Sequence, residues 1–168
     1  MVNGRKGAVA ERMQEDLQGI IEQQPFFRGV DQGHIAILAK LACRVHFAPG
    51  HIIAHEGDDA RHFYVVLRGK IELEAYVPPQ GQVPIQAVGP GEALGWAWLF
   101  PPYQWHFTAR VVEETDALVW ETAELRAEAD KDPRFGYELA SRLAEVLHKR
   151  LSAAHAHLVG FYAPFPDE

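Results

Sequence analysis

A chain of 168 residues, 48% hydrophobic and 23% charged, is long enough to bury one substantial core and has ordinary globular proportions. Its net charge of −7, with no basic stripe, argues against autonomous DNA binding, whose affinity comes largely from neutralised phosphates. One cysteine, Cys43, excludes an internal disulfide and a multi-thiolate metal site within the chain; its place in LAKLACRVHF predicts a small buried hydrophobe. No apolar run approaches the roughly 20 residues of a membrane span, and the N-terminus is too polar for a secretory signal, so a cytoplasmic setting without membrane attachment is expected.

In chain order, residues 8–24 carry Met13, Leu17, Ile20 and Ile21 at helical spacing, and Pro25 ends that run. A second helix is predicted after Asp31, an N-cap residue, with Ile35, Leu38 and Leu41 on one face. From Cys43 the texture changes to short β-rich runs separated by turn residues: RVHF, HIIAH, HFYVVLR, GKIELEAY, VPIQAV, FTARVV and ALVWE. The fold class expected is α+β, mainly β: an eight-stranded antiparallel jelly roll of the cupin-like double-stranded β-helix type. N-terminal helices and a long C-terminal helix flank it. HFYVVLRGKIELEAY reads as a hairpin turning at Arg68-Gly69-Lys70.

Thr122 is placed to cap a short helix over AELRAEAD, and Asp132-Pro133 is a strong start signal for a long one running to about Phe161. The long helix carries Leu139, Leu143, Val146, Leu147, Leu151, Ala154, Leu158 and Phe161. That is a face wide enough both to pack on the roll and to pair with another helix, so a homodimer through 133–161 is expected. The expected organisation is N-terminal helices over 1–42, a β-roll over 43–121, two helices over 122–162 and a tail over 163–168.

The turn glycines Gly50, Gly57, Gly69 and Gly91, within FAPGHIIAHEGDDARHFYVVLRGKIEL and GPGEALG, give a pattern that resembles a known family. It is similar, over roughly 25–160, to the cyclic-nucleotide-binding domain shared by the catabolite activator protein, the fumarate–nitrate regulators, cyclic-nucleotide-dependent kinases and gated channels. The resemblance implies a ligand sensor without catalytic activity. In that family a Gly-Glu pair opens a phosphate-binding cassette: the glutamate holds the ribose 2′-hydroxyl, backbone amides face the phosphate, and an arginine nine or ten residues on supplies the charge.

Carried across, Gly91 and Glu92 match, Ala93, Leu94 and Gly95 supply the amides, and the arginine is missing. Its slot falls on Pro101-Pro102 or near Trp105, and His106 and Phe107 stand beside it. Arg110 is expected to point outward. The resemblance places a lid over the base near Leu147, Arg150 and Leu151, so Arg150 is a candidate replacement charge. The implied ligand is a weakly held cyclic AMP or cyclic GMP, or an apolar or aromatic small molecule suited to Trp96, Trp98, Phe100, Tyr103, Trp105 and Phe107. An alternative is a ligand-free interaction module docking a protein partner through the aromatic segment 96–107.

A cupin-like metal enzyme would need His51, His55, Glu56 and His62 to converge, but their spacing and strand parity disfavour it. Haem, held by some relatives of the fold, would have Cys43, His46 and His106 as its candidate ligands, with no motif marking it. Regulators of the catabolite-activator type continue from the long helix into a DNA-reading helix-turn-helix. With only PFPDE after Ala163, no direct DNA binding is expected.

Overall fold

The computed structural model describes residues 16–162. Helix α1, Leu17–Gln23, is capped by the Asp16 carboxylate, which accepts from the Gly19 amide; the Met13 end of the expected helix lies outside the described residues. A 3-10 turn at Pro25–Phe27 follows. Helix α2, Gln32–Leu41, starts as the sequence predicts, with Asp31 accepting from the Gly33 amide.

Six strands make one antiparallel sheet: β1 Cys43–Phe47, β2 Ile52–Ala54, β3 His62–Val77, β4 Gly81–Val88, β5 Ala93–Leu94 and β6 Thr108–Glu121. The order is β1-β6-β3-β4, with β2 pairing β6 and β5 pairing β3. Helix α3, Thr122–Lys131, and helix α4, Pro133–Tyr162, close the described chain. This is the α+β, β-rich roll with a long C-terminal helix that the sequence predicts. Six strands replace eight because HFYVVLR and GKIELEAY fuse into β3, as FTARVV and ALVWE fuse into β6.

The fusion also overturns the expected hairpin. Gly69 has the positive φ, 96°, that a turn would need, but the chain runs on through it. The β3–β6 register slips between Val66 and Ile71, so Gly69 is a kink that curls two long strands into the roll. A Cβ there would overlap the Glu114 carbonyl and the buried Thr115 side chain. Thr115 Oγ1 repairs the interrupted ladder, accepting from the Lys70 amide at 3.2 Å and donating to the Glu113 carbonyl at 2.8 Å.

Two further expectations are corrected. Thr122 does not cap α3; its hydroxyl is buried and donates to the Ala60 carbonyl at 2.9 Å, tying the helix start to the β2–β3 loop. Cys43 is half-buried at the start of β1 rather than part of the core.

Trp120 holds the helices to the roll. Its ring is fully buried beside Phe27 and Phe63, and its indole N–H donates to the Leu38 carbonyl at the end of α2. Leu125, Phe135, Leu139 and Leu143 anchor α3 and the first third of α4. Asp132 caps α4, accepting from the Arg134 amide. Beyond Arg150 the helix leaves the body, and residues 151–160 are all exposed. The side chain of Phe161 lies outside the described residues.

Candidate functional site

The segment from Gly91 to Phe107 and the middle of α4, both singled out in the sequence, meet through Arg150 and Ala93. Gly91 and Glu92 form the turn before β5: the Gly91 amide donates to the Val66 carbonyl, and the Val66 amide returns to the Glu92 carbonyl. The Glu92 carboxylate folds back onto the Gly89 amide at 2.7 Å. Ala93 and Leu94 are strand residues in register with Val65 and Tyr64 of β3. What Ala93 offers outward is its carbonyl, which accepts from the Arg150 guanidinium at 2.8 Å.

A helix start able to present free amides comes four residues after Gly91. Gly95, in the left-handed conformation, precedes a 3-10 helix at Trp96–Leu99. A Cβ at Gly95 would lie 2.6 Å from the His62 carbonyl and 3.3 Å from the Trp105 ring, so no side chain fits between strand and indole. The first helical position is Trp96, whose ring stacks on His106 at 5.2 Å and 20°.

Trp105 is clipped rigidly in place. Its amide donates to the Asp58 carbonyl and its carbonyl accepts from the Gly57 amide, both at 2.8 Å, while the Ala60 amide donates to the Tyr103 carbonyl. The segment 103–105 thus lies along the 57–60 turn like an extra strand, with one bridge between Asp59 and Gln104. The Trp105 ring, 7% exposed, is driven inward beneath Gly95.

The space these groups leave is small. A cavity of about 20 Å³ is bounded by Leu73, Leu94, Trp96, Trp105, Phe107 and Arg150. That holds about one water, and lies far below the roughly 300–1,000 Å³ of pockets that take small ligands. The walls are rings, and Arg150, the one cation on the cavity, already serves the Ala93 carbonyl. Burial pulls the Arg150 pKa below its usual value, and the neighbouring Glu92 charge pushes back.

Of the three α4 positions singled out from the sequence, only Arg150 reaches the site. Leu147 is half-buried and Leu151 is 55% exposed. Arg110 pairs with the buried Glu74 at 2.9 Å on the roll's flank. The aromatic segment divides in two. Trp98 and Trp105 are buried, whereas Phe100 and Tyr103 are about half exposed around Pro101-Pro102. Arg126 of α3 braces this outer part, donating to the Trp98 carbonyl at 2.7 Å with its guanidinium 4.9 Å from the Tyr103 ring centre.

His51 stacks on Phe47, and His62 lies 3.6 Å from Glu121. Among the described residues no group of three His, Cys, Asp or Glu side chains is gathered as a metal site, and no helix is long and apolar enough to cross a membrane.

Sequence reasoning missed two features. One is a cleft of about 310 Å³ between the Pro90–Ala93 turn and α4, bordered by Arg142, Lys149 and Arg150, whose seven- and eight-residue spacing was a readable sign of one helix face. The other is His34 on α2, whose Nδ1 lies 2.6 Å from Glu138 and whose Nε2 lies 2.9 Å from Asp132. No sequence signal marked that cluster, since its members lie about a hundred residues apart.

Residues 44–132 match the model of the cyclic nucleotide-binding domain. The CRP-like cAMP-activated global transcriptional regulator of Mycobacterium tuberculosis is 26% identical over 139 residues, which is 83% of this chain and 60% of that protein. The chain therefore spans less than two thirds of the length of the curated relatives it matches. Among solved structures, a cyclic nucleotide-binding protein of Geobacter metallireducens superposes with a TM-score of 0.72 at 21% identity, covering 82% of this chain and 98% of that one. The catabolite activator protein of Thermus thermophilus gives 0.66 at 25% identity, covering 82% of this chain and 63% of its own. With more than half the sequence inside the family model and the roll-plus-helix architecture in place, this chain belongs to the cyclic nucleotide-binding domain family.

Proposed function

We propose that the chain is a non-catalytic regulatory domain with a degenerate phosphate cassette, acting as a homodimer through α4. The observation that carries the first half is the filled cavity. Where a nucleotide of this family would need room and a free cation, Trp96, Trp105 and Phe107 leave about 20 Å³ and Arg150 is bonded to Ala93. A charge-assisted phosphate contact is worth roughly 1.5–3 kcal/mol. Its loss alone weakens binding about 10- to 100-fold, before the cost of moving an indole.

The second half rests on α4. Ala140, Ala144, Leu147, Leu151, Ala154 and Leu158 recur at spacings of 4, 3, 4, 3 and 4. That is the seam of a two-stranded coiled coil, and its residues are exposed apart from the half-buried Leu147. Leu139, Leu143 and Val146 face the roll instead, so the wide apolar face separates into an inner stripe and an outer one.

A thermal-shift panel tests the reading. A ligand at 100 times its dissociation constant adds about 2.7 kcal/mol of stability. Millimolar cyclic AMP and cyclic GMP are expected to leave the melting temperature unchanged; a concentration-dependent rise with either would contradict the closed cavity. A second reading, a ligand-free module that docks a protein, is favoured by the half-exposed Phe100 and Tyr103. It would gain ground if no small molecule shifts the melting curve and a Phe100→Ser, Tyr103→Ser variant folds normally.

A further inference from the structure

The cleft between the Pro90–Ala93 turn and α4 is separate from the cavity inside the roll, and the two share only Arg150. Its lining includes the apolar residues Pro25, Phe26 and Val146 and the cations Arg142, Lys149 and Arg150. On α4, positions 142, 146, 149 and 150 fall on one side of the helix, turned towards the roll and away from the seam at 144, 147 and 151.

The charges are unequally committed. Arg150 is tied to the Ala93 carbonyl. Arg142 reaches Glu145 only at 3.5 Å, and that glutamate is 61% exposed. Glu92, the second carboxylate on the cleft, is turned onto the Gly89 amide. Lys149 has no hydrogen-bond or ion-pair partner among the described residues, in a chain whose net charge is −7. An unpartnered ammonium and a loosely held guanidinium on the same cleft as Phe26, Pro25 and Pro90 suit a ligand with an acid group at one end and a flat apolar body at the other.

We propose that this cleft is a binding site for a small organic anion, its acid group on Lys149 and Arg142 and its apolar body on Pro25, Phe26 and Val146. A ligand there touches the N-terminal turn, the strand turn and α4 at once. It would therefore favour the arrangement in which α4 lies against the roll, and couple occupancy to the helix that carries the dimer seam. The proposal goes beyond the reading of the roll cavity and does not depend on it.

The test is calorimetric titration of the full chain with phenyl phosphate, inorganic phosphate and benzyl alcohol. Phenyl phosphate is expected to bind saturably, more weakly at higher salt, and more tightly than either fragment probe. Lys149→Gln and Arg142→Gln should each weaken it about 10-fold or more, the loss of one charge-assisted contact. Phe107→Ala, which alters the roll cavity, should leave it within about twofold, since energies at separate sites add. Phenyl phosphate that fails to bind, binds no better than inorganic phosphate, or binds the Lys149→Gln, Arg142→Gln double variant as well as wild type would overturn the assignment. Sensitivity to Phe107→Ala but not to the cation variants would also overturn it, placing the probe inside the roll. None of these outcomes bears on whether cyclic nucleotides are excluded from that cavity.

Discussion

Three residues carry interactions that single substitutions expose. Gly69 stands where the left-handed φ and the Glu114–Thr115 backbone leave no room for a methyl group. Gly69→Ala should cost strain of about 1–3 kcal/mol and overpacking of similar size, so the urea midpoint is expected to fall markedly. An unchanged midpoint would mean that the kink is not tight. Trp105 is the plug. Trp105→Ala should destabilise by about 3–5 kcal/mol and leave a ring-shaped void. Added indole should then raise the melting temperature of the variant and not of the wild type, a contrast that simple loss of stability would not produce.

His34 faces carboxylate oxygens through both ring nitrogens, and only the imidazolium has two protons to donate. Burial beneath Phe135 works against that charge. The bonds to Glu138 and Asp132 outweigh it and raise the pKa above 6.5. Asp132 moves the other way, held below 3.8 chiefly by His34. The folded state therefore binds the histidine proton more tightly than the unfolded chain does. Its stabilising contribution is complete below about pH 6.5 and is lost as pH rises through the raised value. The Asp132 contribution is present above 3.8 and lost on acidification through its lowered pKa. Stability of the wild type should decline as pH rises above about 6.5, and His34→Gln should flatten that decline. Parallel pH profiles for the two proteins would contradict the clamp.

The elements differ in how readily the sequence reveals them. Helix α2 is legible because Asp31 caps it and its apolar residues keep period; Asp132-Pro133 likewise marks the start of α4. The strands of the roll are legible as apolar alternation, but their continuity is not. A glycine at positive φ between two β-rich runs signals a hairpin and a kink equally, and only the long β6 partner decides for the kink. Thr122 misleads for a similar reason: a hydroxyl before a helix reads as a cap until a carbonyl across the chain, that of Ala60, claims it.

In α4 the apolar positions are legible at once, whereas their division between roll and solvent depends on where the helix leaves the body. That division makes a prediction. Leu151→Glu, in the middle of the outer seam, should convert a dimer into a monomer in sedimentation analysis. Helical content should fall with it, because residues 151–160 are all exposed among the described residues. A wild-type monomer with a fully helical α4 would remove the dimer from the reading.

For the molecule as a whole, the roll keeps the family's architecture, and Trp96, Trp105 and Phe107 leave a cavity of only about 20 Å³ inside it. The lack of an arginine nine or ten residues after Glu92 and the run of aromatics after Gly95 were both visible in the sequence. The placement of the cassette was less legible. Gly91-Glu92 has the right composition, yet the helix start that could present amides belongs to Gly95-Trp96, because β5 intervenes. Arg150 was a candidate for the missing charge and does enter the site, but its bond to Ala93 and its burial show a guanidinium engaged with the protein's own backbone.

The most direct test of the closed roll is calorimetric titration of the wild-type chain with cyclic AMP. No saturable heat is expected at millimolar nucleotide, and a Phe107→Arg variant should gain at most weak binding while Trp105 still fills the space. Saturable micromolar binding by the wild type, abolished by Arg150→Gln, would contradict it, since the guanidinium would then be leaving Ala93 to take the phosphate.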